Sequence, residues 1–177
     1  MTITEPFLPP LAGEEVIWDR FELPLGGSDV EIVAMSDGEA VLNISFGRLM
    51  ADPEVSAGSV RDRATLALVR DQLLAYVSGE LQAFDLPLRP VGTAFQLDVW
   101  RALMGIPFGT TSSYGNVASS IGRRGAGRAV GAAVGANPIA IVIPCHRVIG
   151  ADGSLTGYGG GLDNKVALLT LEGVLSC

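Results

Sequence analysis

The chain has 177 residues, is 48% apolar and 18% charged, and carries a formal net charge of −7. That composition excludes a disordered chain and suffices for one globular domain or two small ones. Two distant cysteines, Cys145 and Cys177, exclude a disulfide framework, and a single histidine, His146, excludes a zinc cluster.

Met1–Glu15 holds Glu5 and three prolines by Pro10. It lacks the basic-then-apolar order of a secretory signal and reads as a loose arm. Phe21–Leu25 and Val30–Met35 are candidate strands. Asp37-Gly38 is a hairpin turn signal, and Ala40–Phe46 returns as the partner strand of a small antiparallel sheet. Met50–Ser59, with Asp52-Pro53 and Gly58, reads as a loop. Over Arg61–Ser78 the apolar residues Leu66, Val69, Leu73, Leu74 and Val77 recur at helical spacing until Gly79. Sheet plus helix predicts a small α/β domain over residues 1–88. Nothing in it suggests chemistry.

Phe84–Val91, with Pro87 and Pro90, reads as an extended linker into a mainly helical second domain, residues 89–177. The fold class is therefore α/β, of the α+β kind. Thr93 is the expected N-cap of a helix through Leu103, with Phe95, Val99, Trp100 and Leu103 on its buried side. Gly105 and Pro107 end it. Ser113–Ile121 and about Ala126–Ala136 are two short helices joined by Gly122 and Arg123-Arg124-Gly125, a helix-turn-helix pattern. The second carries Gly127, Gly131 and Gly135 at every fourth position. Each internal glycine costs ~1 kcal/mol relative to alanine, so the spacing points to a close neighbour: a packed helix or a nucleic-acid groove. Arg123, Arg124 and Arg128 exclude a membrane dimer. The charge-free stretch Ala129–Cys145 is broken by Asn137, Pro138 and Pro144, so no membrane span is expected.

Ile141-Val142-Ile143 reads as a short buried strand, stopped by Pro144, that delivers Cys145. The Gly-rich loop Ala151–Gly161 lacks a following Gly-Lys-Ser/Thr and is not a phosphate loop. It is expected to wrap over a planar ligand. Asn164 is the expected cap of a last helix, Lys165–Leu171, which ends at Glu172-Gly173.

The acid is segregated. Residues 1–92 hold six Lys and Arg against fifteen Asp and Glu, a net of −9; residues 93–177 hold six against four, a net of +2. A patch of Arg123, Arg124, Arg128 and Arg147 is thus free to meet phosphates while the acidic half faces away.

A lone buried cysteine is usually core filler. Here His146 and Arg147 adjoin it, and both can bias a thiol toward the nucleophilic thiolate. Neighbours in an extended chain point to opposite faces, so a direct and a water-bridged Cys145–His146 contact both stay open.

Pro144-Cys145-His146-Arg147-Val148 resembles the active-site signature of the O6-alkylguanine-DNA alkyltransferases, the methylated-DNA–protein-cysteine methyltransferases. The resemblance runs from about Thr93 to Gly173, through Phe95–Trp100, Tyr114, Arg128, Asn137, Gly157-Tyr158-Gly159-Gly160-Gly161, Lys165 and Glu172. It implies single-turnover repair: Cys145 takes the alkyl group from guanine O6 and keeps it as a thioether. It implies His146 as proton acceptor, Glu172 as its orienter, and Tyr114 as donor to the departing guanine. Arg128 would fill the gap left by a flipped nucleotide, with Arg123, Arg124, Ala129 and Gly131 on the DNA side, in the minor groove. Asn137, Pro144, Val148, Tyr158, Gly159 and Gly160 would shape the pocket. The two glycines would leave its roof open to larger alkyl groups. The implied partner is double-stranded DNA carrying O6-alkylguanine, met by a cytoplasmic monomer without cofactor or metal; cooperation between molecules on DNA is left open. Two other readings remain: a lesion sensor that flips the base without chemistry, which the retained cysteine disfavours, and a Cys-His hydrolase that turns over small acyl substrates.

Overall fold

The computed structural model describes residue 7, residues 15–47 and residues 59–176. The expected loop Met50–Ser59 apart from Ser59 itself, which is in a strand, most of the expected N-terminal arm and Cys177 lie outside the described residues.

The first half is a sheet backed by one helix. β1 (Val16–Leu25) and β2 (Ser28–Ser36) form an antiparallel hairpin, Leu25 opposite Ser28. Two residues turn it, Gly26 at φ 62° and Gly27 at φ 83°, which is the positive-φ pair that a tight hairpin of this twist requires. A Cβ on Gly26 would lie 2.8 Å from Ala167 Cβ, so the bare tip docks on the last helix. β3 (Val41–Phe46) returns antiparallel to β2, and the Asp37 carboxylate accepts from the Glu39 and Ala40 amides in the turn between them. The expected antiparallel sheet gains one strand. β4 (Ser59–Arg61) lies parallel to β1, so the sheet, ordered β3-β2-β1-β4, is mixed. Three residues are too few to show a period of two. α1 (Ala67–Val77) packs on β1 through Leu66, Val69, Leu73 and Tyr76, all buried, and Gly79 at φ 80° ends it.

The expected linker is part of the core. Val41 N–H donates to Pro87 O and Arg89 N–H to Val41 O, at 2.8 and 2.9 Å, which adds the segment to the outer edge of β3. Leu88 is 2% exposed. Further along the same edge, Ile44 N–H donates to Pro138 O and Ala140 N–H to Ile44 O. The chain just before Cys145 is thereby held in register with β3. A single apolar core runs through both halves.

α2 (Ala94–Met104) starts with a capping box between Thr93 and Gln96, and Trp100 Nε1 donates to Ala133 O at 2.8 Å. β5 (Ser112–Ser113) leads into α3 (Tyr114–Ser120), capped by Ser113. Gly122 and Gly125, both at positive φ, make the turn into α4 (Gly127–Gly135). The expected strand Ile141–Ile143 does not form. Residues 140–143 make a tight turn, with Ile141 at φ 70°, and Cys145–Arg147 is one turn of 3-10 helix. All three apolar residues are buried; a short buried apolar run looks alike in sequence whatever its backbone. A branched residue at positive φ is strained. Its surroundings hold it there: Ile143 N–H donates to Ile139 O, and Asn137 Nδ2 donates to Ile143 O. β6 (Val148–Ile149) pairs in parallel with β5, and α5 (Leu162–Leu171) closes the fold. Asn164 is not its cap, since the helix begins two residues earlier; its side chain instead donates to Gly160 O at 2.7 Å.

Candidate active site

Cys145 lies at the floor of a cavity of about 240 Å³, 6% exposed. Of the expected pocket residues, Asn137, Tyr158, Gly159 and Gly160 line it, with Val134 and Gly135 of α4. Pro144 and Val148 are buried but do not line it, and the Val148 carbonyl accepts from Lys165 Nζ at 2.7 Å. A larger open groove of about 720 Å³ between α2 and α3 contains no expected catalytic residue.

Asn137 fixes the nucleophile. Its Oδ1 accepts from the Ile139 amide at 3.0 Å, which orients the amide. Its Nδ2 donates to Ile143 O at 2.8 Å and to Cys145 Sγ at 2.9 Å. Burial pushes the thiol up, while Asn137, the Lys165 ammonium and the Tyr158 hydroxyl oppose that rise. The Tyr158 hydroxyl is buried with no partner at hydrogen-bond geometry among the described residues, yet faces the thiol closely enough to be pushed well up itself by burial and by Cys145. Cys145 therefore rests as a thiol, and its proton must be taken.

The expected acceptor is the next residue. His146 is fully buried, with Nε2 2.6 Å from Glu172 Oε1. Burial pushes the imidazole down and Glu172 opposes, so the ring is held neutral below its ordinary range. Glu172, the C-cap of α5, is ionised. Burial alone would raise it, but hydrogen bonds from His146, Arg147 and Tyr76 outweigh burial and hold it at about 2. An ionised carboxylate only accepts. Nε2 therefore carries the proton, and Nδ1 is left with its lone pair; it is buried without a partner among the described residues.

Arg147 departs from expectation. It is 7% exposed, its Nε donates to both Glu172 oxygens at 3.1 and 3.0 Å, and Nη1 donates to Ile106 O. Its charge is turned inward and neutralises Glu172. Tyr114 is brought to the edge of the site only. Its hydroxyl shares a 2.7 Å hydrogen bond with Thr156, its ring lies over Gly131, and it does not line the cavity. The roof also departs from expectation. A Cβ on Gly160 would lie 2.4 Å from Phe46 Cδ2 and 2.8 Å from the Tyr158 ring, so the space the glycine leaves is filled.

Similarity to known proteins agrees with this geometry. Residues 94–174 match the family model described as 6-O-methylguanine DNA methyltransferase, DNA binding domain. A methylated-DNA–protein-cysteine methyltransferase of Methanosarcina acetivorans is 47% identical over 86% of this chain and 96% of its own length. That of Mycolicibacterium paratuberculosis is 50% identical over 82% and 88%. The solved structure of Mycobacterium tuberculosis OGT in complex with DNA superposes with a TM-score of 0.80 at 44% identity, over 88% of this chain and 92% of that one. The chain belongs to the methylated-DNA–protein-cysteine methyltransferase family.

The residues expected on the DNA side lie on the turn before α4 and on α4 itself. Arg123, Arg124, Arg128 and Ala129 are exposed on the turn and on α4. Gly127 and Gly135 have no atom within 4 Å of a would-be Cβ. The glycine face is therefore open at its two ends, while its middle residue, Gly131, packs against the Tyr114 ring of α3. Gly135 follows Arg128 by seven residues, two turns along the same face, and lines the cavity. Among the described residues no group suits a metal ion, and no helix is long and apolar enough to cross a membrane.

Sequence reasoning missed Tyr76 and Phe46, both from the half judged silent. Tyr76, fully buried on α1, donates to Glu172 Oε1. Burial and Glu172 push its hydroxyl up. The available signal was a tyrosine three residues after Leu73 on the buried stripe, since a buried phenol needs a partner. Phe46 ends β3 and lines the cavity with Ile44 and Ser45; no sequence signal distinguished it from a core aromatic.

Proposed function

We propose that this protein repairs DNA by moving an alkyl group from guanine O6 to Cys145, once per molecule. The observation that carries this reading is the pairing of a buried thiol in a small cavity with a neutral imidazole whose free Nδ1 is set by ionised Glu172. The thiol proton passes to His146 Nδ1, through a bridging water. Cys145 Sγ then attacks the alkyl carbon, the carbon–O6 bond breaks, and its electron pair stays with the guanine. A soft thiolate suits saturated carbon. The new thioether has no group beside it able to cleave it.

The leaving guanine needs a proton. When Thr156 donates to Tyr114, the tyrosine's own proton is free for the base. The target atom is inside a base stack, so the nucleotide must be extruded. Arg128 fills the vacated space, and α4, with Ala129 and Gly131 bare of bulk, enters the minor groove. Arg123 and Arg124 contact phosphates. Residues 89–177 thus carry nucleophile and DNA surface, and residues 1–88 supply one cavity wall and one clamp on Glu172. A reduced, cytoplasmic setting suits an unpaired thiol.

The test is intact-protein mass after mixing with excess duplex containing O6-methylguanine. One methyl per chain, mapped to Cys145 and then no more, is expected. Tight lesion binding without a mass change would turn the reading to a sensor, and catalytic turnover of acyl esters to a hydrolase.

A further inference from the structure

Part of the wall of the Cys145 cavity comes from the other half of the chain. Ile44 and Phe46 are two residues apart on β3 and so share a face; both line the cavity that holds Cys145. The strand cannot drift from the nucleophile, because Ile44 is hydrogen-bonded on both sides to the Pro138–Ala140 segment leading into Cys145. The Phe46 ring packs edge-on to Tyr158, with centroids 6.0 Å apart and planes at 67°. Its edge fills the space that Gly160 leaves without a side chain. Gly160 has an ordinary backbone angle, so the constraint on it is steric and not conformational.

The geometry points to Phe46 as the residue that sets the largest O6-alkyl group the Cys145 cavity accepts. This rests on the alkyl-transfer reading above. A guanine whose alkyl carbon meets Sγ must share about 240 Å³ with its substituent. Tyr158 and Phe46 brace each other, so neither ring can swing aside alone. Close-packed walls do not stretch to admit extra carbons. Truncating Phe46 removes the brace and the wall together.

The experiment compares transfer rates from O6-methylguanine and O6-benzylguanine in the same duplex, for the wild type, Phe46→Leu, Phe46→Ala, Gly160→Ala and the double variant Phe46→Ala/Gly160→Ala. The benzyl-to-methyl rate ratio is expected to rise about 10-fold or more in Phe46→Ala, by less in Phe46→Leu. Gly160→Ala is expected to slow both transfers in the wild-type background and to be tolerated with Phe46→Ala, because the two changes meet in the same space. An unchanged ratio in folded Phe46→Leu and Phe46→Ala would overturn the proposal. So would a Gly160→Ala penalty that is the same in both backgrounds. Wild-type protein that takes no methyl group onto Cys145 would instead refute the transfer reading itself.

Discussion

Tyr76 donates its hydroxyl proton to Glu172 Oε1, the oxygen that also accepts from His146 Nε2. The two residues are 96 positions apart, on the helix of the first half and the C-cap of the last helix. Tyr76 is held in place by ring contacts with Phe84 at 4.9 Å and Phe108 at 5.9 Å. Its proton shares the Glu172 charge, which would otherwise act wholly on His146. Removing it, as Tyr76→Phe, leaves the carboxylate more negative and raises the imidazole. The imidazole then protonates at higher pH and can no longer take the thiol proton there. The acid limb of the transfer rate against pH should move upward, and stability should fall by about 1–3 kcal/mol, the usual cost of losing one buried hydrogen bond to a charge. Rate-against-pH profiles and urea melts check both.

Glu172 makes the fold acid-sensitive. Its carboxyl is held at about 2 against an ordinary 4.5. A depressed carboxylate contributes its stability above the unfolded-state value and loses it as pH falls through the folded-state value. The window is therefore from about 4.5 down to about 2, and the loss is roughly 3 kcal/mol. Denaturant melts at pH 7 and pH 3 should show most of it. In Glu172→Gln that acid step should vanish, on a lower baseline by about 3–5 kcal/mol, because Arg147 is left as a buried charge without its partner.

Asn137 holds the turn and the thiol at once. Asn137→Ala should destabilise by about 2–3 kcal/mol, since buried groups lose partners. It also removes the first of the groups that oppose the rise of Cys145 on burial. The thiol should ionise at higher pH, and alkylation of Cys145 by iodoacetamide should slow at fixed pH. Peptide-mapped labelling rates across pH measure this.

Arg128 is exposed and makes no ion pair among the described residues. If it fills the gap behind an extruded nucleotide, Arg128→Ala should slow transfer from duplex roughly 10- to 100-fold, the scale of a few kcal/mol of unstacking. Transfer from free O6-benzylguanine base should change little. Loss of both activities would place Arg128 in the fold of the pocket instead. Arg123→Ala should weaken binding to all duplexes alike and flatten the salt dependence by about one charge.

The nucleophile, its histidine and the helix pair were legible along the chain for local reasons. Capping at Thr93 and Ser113, glycines at the turn, and the Pro-Cys-His-Arg-Val run each concern neighbours in sequence. The backbone that carries Cys145 was not, because Ile141–Ile143 are buried all round and such a run has no period to read. Arg147 looked like a phosphate ligand by type alone; its partner, Glu172, is 25 residues away, and only folding decides that its charge turns inward. The silence of the first half was an error of the same kind. Tyr76 and Phe46 carry no local mark, since a phenol and a benzyl group are ordinary core material until the surface they reach is known. The amino-acid sequence by itself determined which groups are able to react and which segments coil into helices, because propensity, capping and thiol chemistry act over a few residues. Only the tertiary structure decided that a strand and a helix of the first half complete the cavity and the hydrogen bonding of Glu172, because burial and hydrogen bonding there join residues about a hundred positions apart.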